Sequence, residues 1–593
     1  MWRGYMQSKA KRFRTEEKKP AGNGGNTPFY ILIFESIWEH PIISAALLCF
    51  FAVGLTTGQQ IPKTGIIMAT LGVFGLGMCA SFYIVQHNVK RNINAVLTSM
   101  VCLSASFAAL FGVSVYSSQS PAGELLNIGL AAVAGIYIYL GITDRLTTKN
   151  VILLIAASAF LIRLAYIMFF TIAEHQHDVA ALGKGSGHIG YIEYLYANGH
   201  LPDYDVRETN QFYHSPFHHI LAAVWVKFQV LMGISYESAF ENIQILTLFY
   251  STLCFIISYK IFRQLNLNGR GLIFAFAVAA FNPTFIIMSG SINNDILSIT
   301  LFLGAVLNTL KWYKNRTFKN IIAIALCIGL GMFTKLSVWM VAPAVAFVFI
   351  FVFFKHLKDF KKYLLQFLVF GIICVPIGLF WSVRNLVRFG VPLTFVQKLS
   401  EDSKQYIGNI GTTQRLFDFG LCQFENVGDQ FTMYGGKYNE FNPLVALFKT
   451  SAFDEMIDTK HYYAIAGFNT ILFWAVVAVG LIGFAAMMYL FVKKISELAV
   501  LTKIFIGLLY FVMLGSYYIF CFQFPHVCTE NIRYAVPLIV IGAYFVGLAI
   551  QHLSAENSGR IKQAVGRVLC TVVILYCTAA VLVYDIVIHS ATT

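Results

Sequence analysis

The chain is short of charge: of its 593 residues only 12% are Asp, Glu, Lys or Arg, about half of the ~25% usual in a soluble domain. A soluble reading would need a core larger than so few polar side chains could cover. Metal and redox spacings are absent too. None of the 11 cysteines forms a CxxC pair, and no HExxH occurs, which removes the cysteine zinc modules and the zincin type of hydrolase. The basic N-terminal stretch (Arg3, Lys9, Lys11, Arg12, Arg14, Lys18, Lys19) is not followed by a short apolar segment with a small-residue cleavage site. It is therefore expected to be a cytoplasmic tail over 1–30, not a cleaved leader. The formal charge of +14 is not gathered into a groove-lining stripe, so nucleic acid is not an expected partner.

Apolar sequence is what the chain has in quantity. Hydrophobic residues make up 57%, with 54 Phe and 30 Tyr among them. Runs long enough to cross about 30 Å of hydrocarbon recur along almost the whole length. Basic residues sit in the short links between them, at Lys90–Arg91, Arg145–Lys149, Lys311–Lys319, Lys355–Lys362 and Lys493–Lys503. The positive-inside rule places those links in the cytoplasm. One apolar piece, 216–233, is short and interrupted by Lys227 and Gln229. Counting it as a span would send most later basic links outside, so it is read as a juxtamembrane helix.

The expected fold is an all-α polytopic membrane protein in contact with the bilayer throughout. A four-helix membrane region over 31–142 precedes a core of about 11 transmembrane helices. That core comprises 151–384, with an outer loop at 173–220, and the membrane helices of 467–593; a large outer loop, 385–466, lies between. Both polar loops open on one face, which implies a working site turned outward. Cys422 and Cys528 fall on that face, where a disulfide is permitted.

The first outer loop concentrates the chemistry. It holds seven of the 14 histidines (His175, His177, His188, His200, His214, His218, His219), six acids (Glu174, Asp178, Glu193, Asp203, Asp205, Glu208) and two bases, Lys184 and Arg207. A connector needs neither that length nor that density of titrating groups. His214 and His218 are four apart and would share a helix face, so a divalent cation on the histidines stays open.

The order of motifs resembles the GT-C glycosyltransferases, in the branch of the protein O-mannosyltransferases and aminoarabinose-type lipid A transferases. The resemblance is carried by Arg163 in a span, Asp178 just past the membrane, Gly187–Ile192 (GHIGYI) and Tyr213–Pro216 (YHSP). It continues through Asn282–Pro283, Ser289–Asp295 (SGSINND), Gly331–Lys335 (GMFTK), Trp381–Asn385 (WSVRN) and Asn531–Pro537 (NIRYAVP), covering roughly 151–550. Ser215 stands where the branch usually has a proline.

The resemblance implies transfer of a sugar from a polyprenyl phosphate to an acceptor hydroxyl, with inversion and with no required cofactor. A loop carboxylate then serves as general base, and cations stabilise the leaving phosphate. Asp178 is the expected base, with Glu174 and Glu193 in reserve and Asp295 as a supporting acid. Arg533 and Arg384 are expected at the donor phosphate, together with Lys184, because the aminoarabinose branch uses a loop lysine there. His177, His188, Tyr213, His214 and His218 are expected to bind substrate. Each has a plainer reading: the acids as helix caps, the arginines as headgroup anchors. Arg163, deep in its span, either lines the cavity or makes a structural pair.

The acceptor is a glycan, glycolipid or protein, and the expected setting is a bacterial cytoplasmic membrane with the site outward. A transporter or flippase and a metal-dependent membrane hydrolase or ligase are the competing readings.

Overall fold

The computed structural model describes residues 121–142, 146–174, 176–403, 405–419, 441–454, 466–493, 499–555 and 559–590. The N-terminal tail, the first three expected spans, His175, Cys422 and most of 420–465 lie outside the described residues.

Two helices open the described part, α1 (Pro121–Ile142) and α2 (Thr148–Phe169). Thr147 starts α2 by accepting the Asn150 N–H on its hydroxyl at 3.2 Å, the usual device for an orphan donor at a helix start. α2 ends at Phe169, a turn earlier than the apolar run suggests, and the chain enters the long loop. Three shorter helices follow: α3 (Gly187–Asn198), α4 (Phe217–Leu231) and α5 (Tyr236–Glu241). The 15 residues of α4 reach only about 22 Å, too little to cross the hydrocarbon, in keeping with a juxtamembrane helix.

α6 (Ile243–Gln264) then crosses. The run 270–290, expected as one span, is broken into α7 (Gly269–Ala280) and α8 (Pro283–Gly290), which meet at 43°. Pro283 has no N–H to continue the ladder, and the Asn282 side chain caps the new helix by accepting the Thr284 N–H at 3.0 Å. α9 (Asp295–Lys314), α10 (Phe318–Thr334), a 3-10 turn (Leu336–Val341) into α11 (Ala342–Lys355), and α12 (Phe360–Phe389) complete this part.

After α12 come two short helices, α13 (Thr412–Phe417) and α14 (Pro443–Phe453). Four long ones close the bundle: α15 (Ala466–Val492), α16 (Val500–Gln523), α17 (Pro537–Leu553) and α18 (Arg560–Ser590). Among the described residues, eight helices are long and apolar enough to cross a membrane, or nine if the bent pair counts as one span. The protein is thus an all-α, multi-pass integral membrane protein. α10 and α17, both expected as spans, are apolar but only 17 residues long.

The most apolar stretch of α9 is 78% buried and that of α12 only 22%, so α9 is central and α12 presents its Leu, Ile, Val and Phe side chains outward. α7 and α17 touch backbone to backbone. A Cβ added to Gly271 would lie 2.6 Å from the Gly547 carbonyl oxygen, and one added to Gly547 2.4 Å from that of Gly271. Small residues at such a crossing let helices approach where lipid offers no hydrophobic driving force.

Successive helices alternate in direction, which sorts the polar residues by end. Arg263, Lys311, Lys314, Lys355, Lys503 and Arg560 share one end. The long loop, the 290–295 turn, Lys335 and the 524–534 segment share the other.

Candidate active site

The site is built from four chain segments at that second end. In the first, Glu174 accepts the Thr171 N–H at 2.9 Å and its hydroxyl at 3.0 Å, closing the turn after α2. Gln176 reaches across to the α8–α9 turn, donating to the Gly290 carbonyl at 2.7 Å and accepting the Ile292 N–H at 3.0 Å. Just past these anchors Asp178 sits at φ 60°, a left-handed conformation that Asp tolerates better than most residues. Its carbonyl accepts the His188 N–H at 3.0 Å, and Val179 bridges to Gly187. Gly187, at φ 70°, has no room for a side chain: a Cβ there would lie 2.5 Å from Ala180 N and 2.8 Å from Asp178 O. The loop therefore fixes the backbone of Asp178 while its side chain stays 42% exposed.

Arg533 comes from the 3-10 turn Ile532–Tyr534, where Asn531 Oδ1 accepts the Arg533 N–H at 2.9 Å. Its Nη1 stands 3.3 Å from Asp178 Oδ2. Its guanidinium lies 5.0 Å from the Tyr534 ring centre, and Lys335 Nζ lies 5.1 Å from that same centre. Lys335, just past α10, pairs with Asp295, the first residue of α9. Asn294 donates to the Thr334 carbonyl at 2.8 Å, stitching the start of α9 to the end of α10. Two ion pairs, Asp178–Arg533 and Asp295–Lys335, thus flank one aromatic ring.

Behind them is a layer of histidines on α3, α4 and the loop that joins them. His188 Nδ1 and His219 Nε2 are 2.8 Å apart. The His188 ring stacks on His219 at 5.1 Å and on His214 at 5.5 Å, and Tyr191 stacks on His219 at 4.4 Å. His218 Nε2 meets the Ile292 carbonyl at 2.8 Å, so that ring is the donor.

Burial keeps this layer neutral. It lowers His214 and His218 to about 4 and carries His188 and His219 well below their usual value. Desolvation alone would raise the Asp178 carboxyl, but the Arg533 guanidinium beside it outweighs that effect and holds the group well below the usual carboxylate range. Burial also pushes the Tyr213 phenol upward, with Asp178 adding to the effect.

Of the residues expected from sequence, Asp178, Asp295, Arg533, His188, Tyr213 and His214 come together, with His218 beneath them. His177 turns aside, its Nε2 donating to Asp454 Oδ2 at 2.7 Å. Glu193 accepts the Gly183 N–H at 2.9 Å and the Tyr236 hydroxyl at 3.3 Å, bracing the loop from outside the cluster. Glu174 closes its turn, and Lys184 is exposed in the turn after Ala181.

Arg384 is engaged elsewhere. It donates to the Pro202 carbonyl and, at 2.8 Å, to Asn385 Oδ1, over the Trp381 ring at 4.9 Å. Arg163, fully buried, donates to Ser251 Oγ at 3.0 Å and to the Ala159 carbonyl at 2.7 Å, with its guanidinium 5.4 Å from the Phe255 ring centre. It ties α2 to α6.

Sequence reasoning assigns no site role to Lys335, Tyr534, His219 or Asp454, although the first three fall in segments that it singles out. Lys335 had a signal, a cation at the polar end of a span facing the end that carries Asp295. Asp454 had none. Among the described residues no three His, Cys, Asp or Glu side chains converge as metal ligands would.

Residues 224–381 match the family described as dolichyl-phosphate-mannose-protein mannosyltransferase. That stretch runs from α4 into α12 and contains Asp295 and Lys335, while Asp178 and Arg533 lie on either side of it. The match falls inside the stretch on which the GT-C resemblance rests and, over its own extent, bears that resemblance out. No curated protein matches the chain. Among solved structures, the crystal structure of ArnT from Cupriavidus metallidurans in the apo state is similar at a TM-score of 0.42 with 13% identity, over 74% of this chain and 76% of that one.

Proposed function

We propose that this protein is an inverting glycosyltransferase that moves a sugar from a polyprenyl-phosphate donor to an acceptor hydroxyl at the outer face of the membrane. The observation that carries the reading is a half-exposed carboxylate, Asp178, paired with Arg533 beside the Tyr534 ring that also borders the Lys335–Asp295 pair, at the end of the bundle away from the basic links. The match of 224–381 to a mannosyltransferase family supports it independently.

In this reading the donor phosphate lies over Tyr534 between Arg533 and Lys335. The guanidinium offers parallel donors to phosphate oxygens and the ammonium a point charge. Asp178 takes the proton from the acceptor hydroxyl as its oxygen attacks the anomeric carbon from the face opposite the phosphate. The C–O bond to phosphate breaks, and the charge that develops there is met by the two cations, so the leaving group needs no proton. Asp295 holds Lys335 in place. His188 and His214, kept neutral, offer hydrogen bonds to sugar hydroxyls without adding charge. The two fixed cations do the work for which a divalent ion is otherwise needed, so no metal is required. Glycan, glycolipid and protein hydroxyls all fit this chemistry as acceptors.

Asp178→Asn keeps the shape of the side chain and removes the base. It is expected to lower transfer by about 10² to 10⁴ with donor binding retained, while wild-type activity persists in EDTA. Full activity in the variant would remove Asp178 from the mechanism, and complete loss in EDTA would move the chemistry to a metal.

A further inference from the structure

Asp454 has no place in the chemistry proposed above, yet the backbone is bent to hold it. It follows α14 at φ 56° and ψ −153°, a region that only glycine occupies at ease. A residue persists there when its surroundings over-determine it, and here the carboxylate is held on both sides. Oδ2 accepts from His177 Nε2 at 2.7 Å and Oδ1 accepts from Asn531 Nδ2 at 2.7 Å.

Each of those partners adjoins a working residue. His177 is bonded through the chain to Asp178. Asn531 holds the Arg533 N–H on its own side-chain oxygen at 2.9 Å. α14 adds a third tie, since Thr450 Oγ1 accepts the Ile532 N–H at 2.8 Å. The side chains of His177 and Asp454 are only 7% and 12% exposed. Charge-assisted hydrogen bonds are strong and directional when so little water competes.

We propose that Asp454 is the positioning residue of this site: through His177 and Asn531 it sets the separation of Asp178 from Arg533, and so governs the chemical step and not the capture of donor. The inference rests on the glycosyltransferase reading above. Displacing a reacting group by about 1 Å can cost on the order of 100-fold in rate, which is the scale of effect expected when one clamp is released.

The test is steady-state transfer from a polyprenyl-phosphate sugar by the purified full chain, comparing wild type, Asp454→Ala, His177→Ala, the double variant and Asp178→Asn. Asp454→Ala is expected to lose at least about tenfold in kcat with donor KM within about threefold. His177→Ala should do the same, and the double variant should be no slower than Asp454→Ala, because residues acting as a unit are not additive. Losses that multiply would overturn the proposal, as would a full kcat in Asp454→Ala or a loss confined to KM. Should Asp454→Ala not fold, Asp454→Gly, whose backbone suits this conformation, carries the same expectations. An inactive Asp178→Asn beside a fully active Asp454→Ala removes the positioning role alone. An active Asp178→Asn removes the base, and the positioning role with it.

Discussion

At the scale of single residues, the pairing of Asp178 with Arg533 poses a problem of basicity. A carboxylate held well below its usual pKa is always ionised but is a weak proton acceptor. In the proposed reaction the donor resolves this: its phosphate would compete for the guanidinium, so that Asp178 becomes more basic as the reactants assemble. The sign of the pH effect follows. The usual Asp value is near ~3.9, and Arg533 moves protonation to lower pH, so removing that cation moves it back up. Arg533→Gln is therefore expected to shift the acid limb of the pH profile of kcat/KM toward neutrality and to raise donor KM. An unmoved acid limb would show that Asp178 does not titrate in catalysis. Asp178, Asp295 and Arg533 are legible in sequence because each sits where an apolar run meets polar text. Lys335 reads equally well as a snorkelling anchor, and Asp454 matters only through partners far away in the chain, which no local pattern announces.

At the scale of elements, α3, α4 and the loop between them carry a histidine layer whose cost appears in acid. His188, His214, His218 and His219 are kept neutral by burial, whereas in the unfolded chain they charge near ~6.5. Their folded values are depressed, so below that pH the unfolded state binds more protons and stability falls. The loss begins near the unfolded value and continues down to about 4, where His214 and His218 titrate in the folded protein. The unfolding midpoint should thus drop between pH 7 and 4.5, and His219→Gln should flatten that slope. An unchanged slope would mean the layer is solvated.

The loop between α2 and α3 supplies a second test. Gly187→Ala places a Cβ against the backbone of Ala180 and Asp178 at a φ that disfavours it. Transfer should fall sharply while the unfolding midpoint of the bundle moves little, because the strain is local to the loop. Helix positions are legible from the length of the apolar runs and the charges of the links between them. The break at Asn282–Pro283 was not, because an apolar run with one proline also reads as a single kinked span.

At the scale of the whole molecule, the alternation of helices was legible because charge acts as a ruler: basic links and polar loops sort to opposite ends in both the sequence and the structure. What hydropathy does not reveal is which loops meet. Asp178 and Arg533 are 355 positions apart and are joined by tertiary packing around α8, α9 and α14.

The central claim is that this junction transfers a sugar from a lipid phosphate by direct displacement. It is tested most directly by a single turnover of the purified chain in a bilayer disc, with a polyprenyl-phosphate sugar labelled at its anomeric carbon. The anomeric configuration of the product is read by NMR for wild type and Asp178→Asn. The account predicts an inverted product from wild type, release of polyprenyl phosphate, and almost none of either from the variant. A product of retained configuration, or equal turnover by the variant, would contradict it.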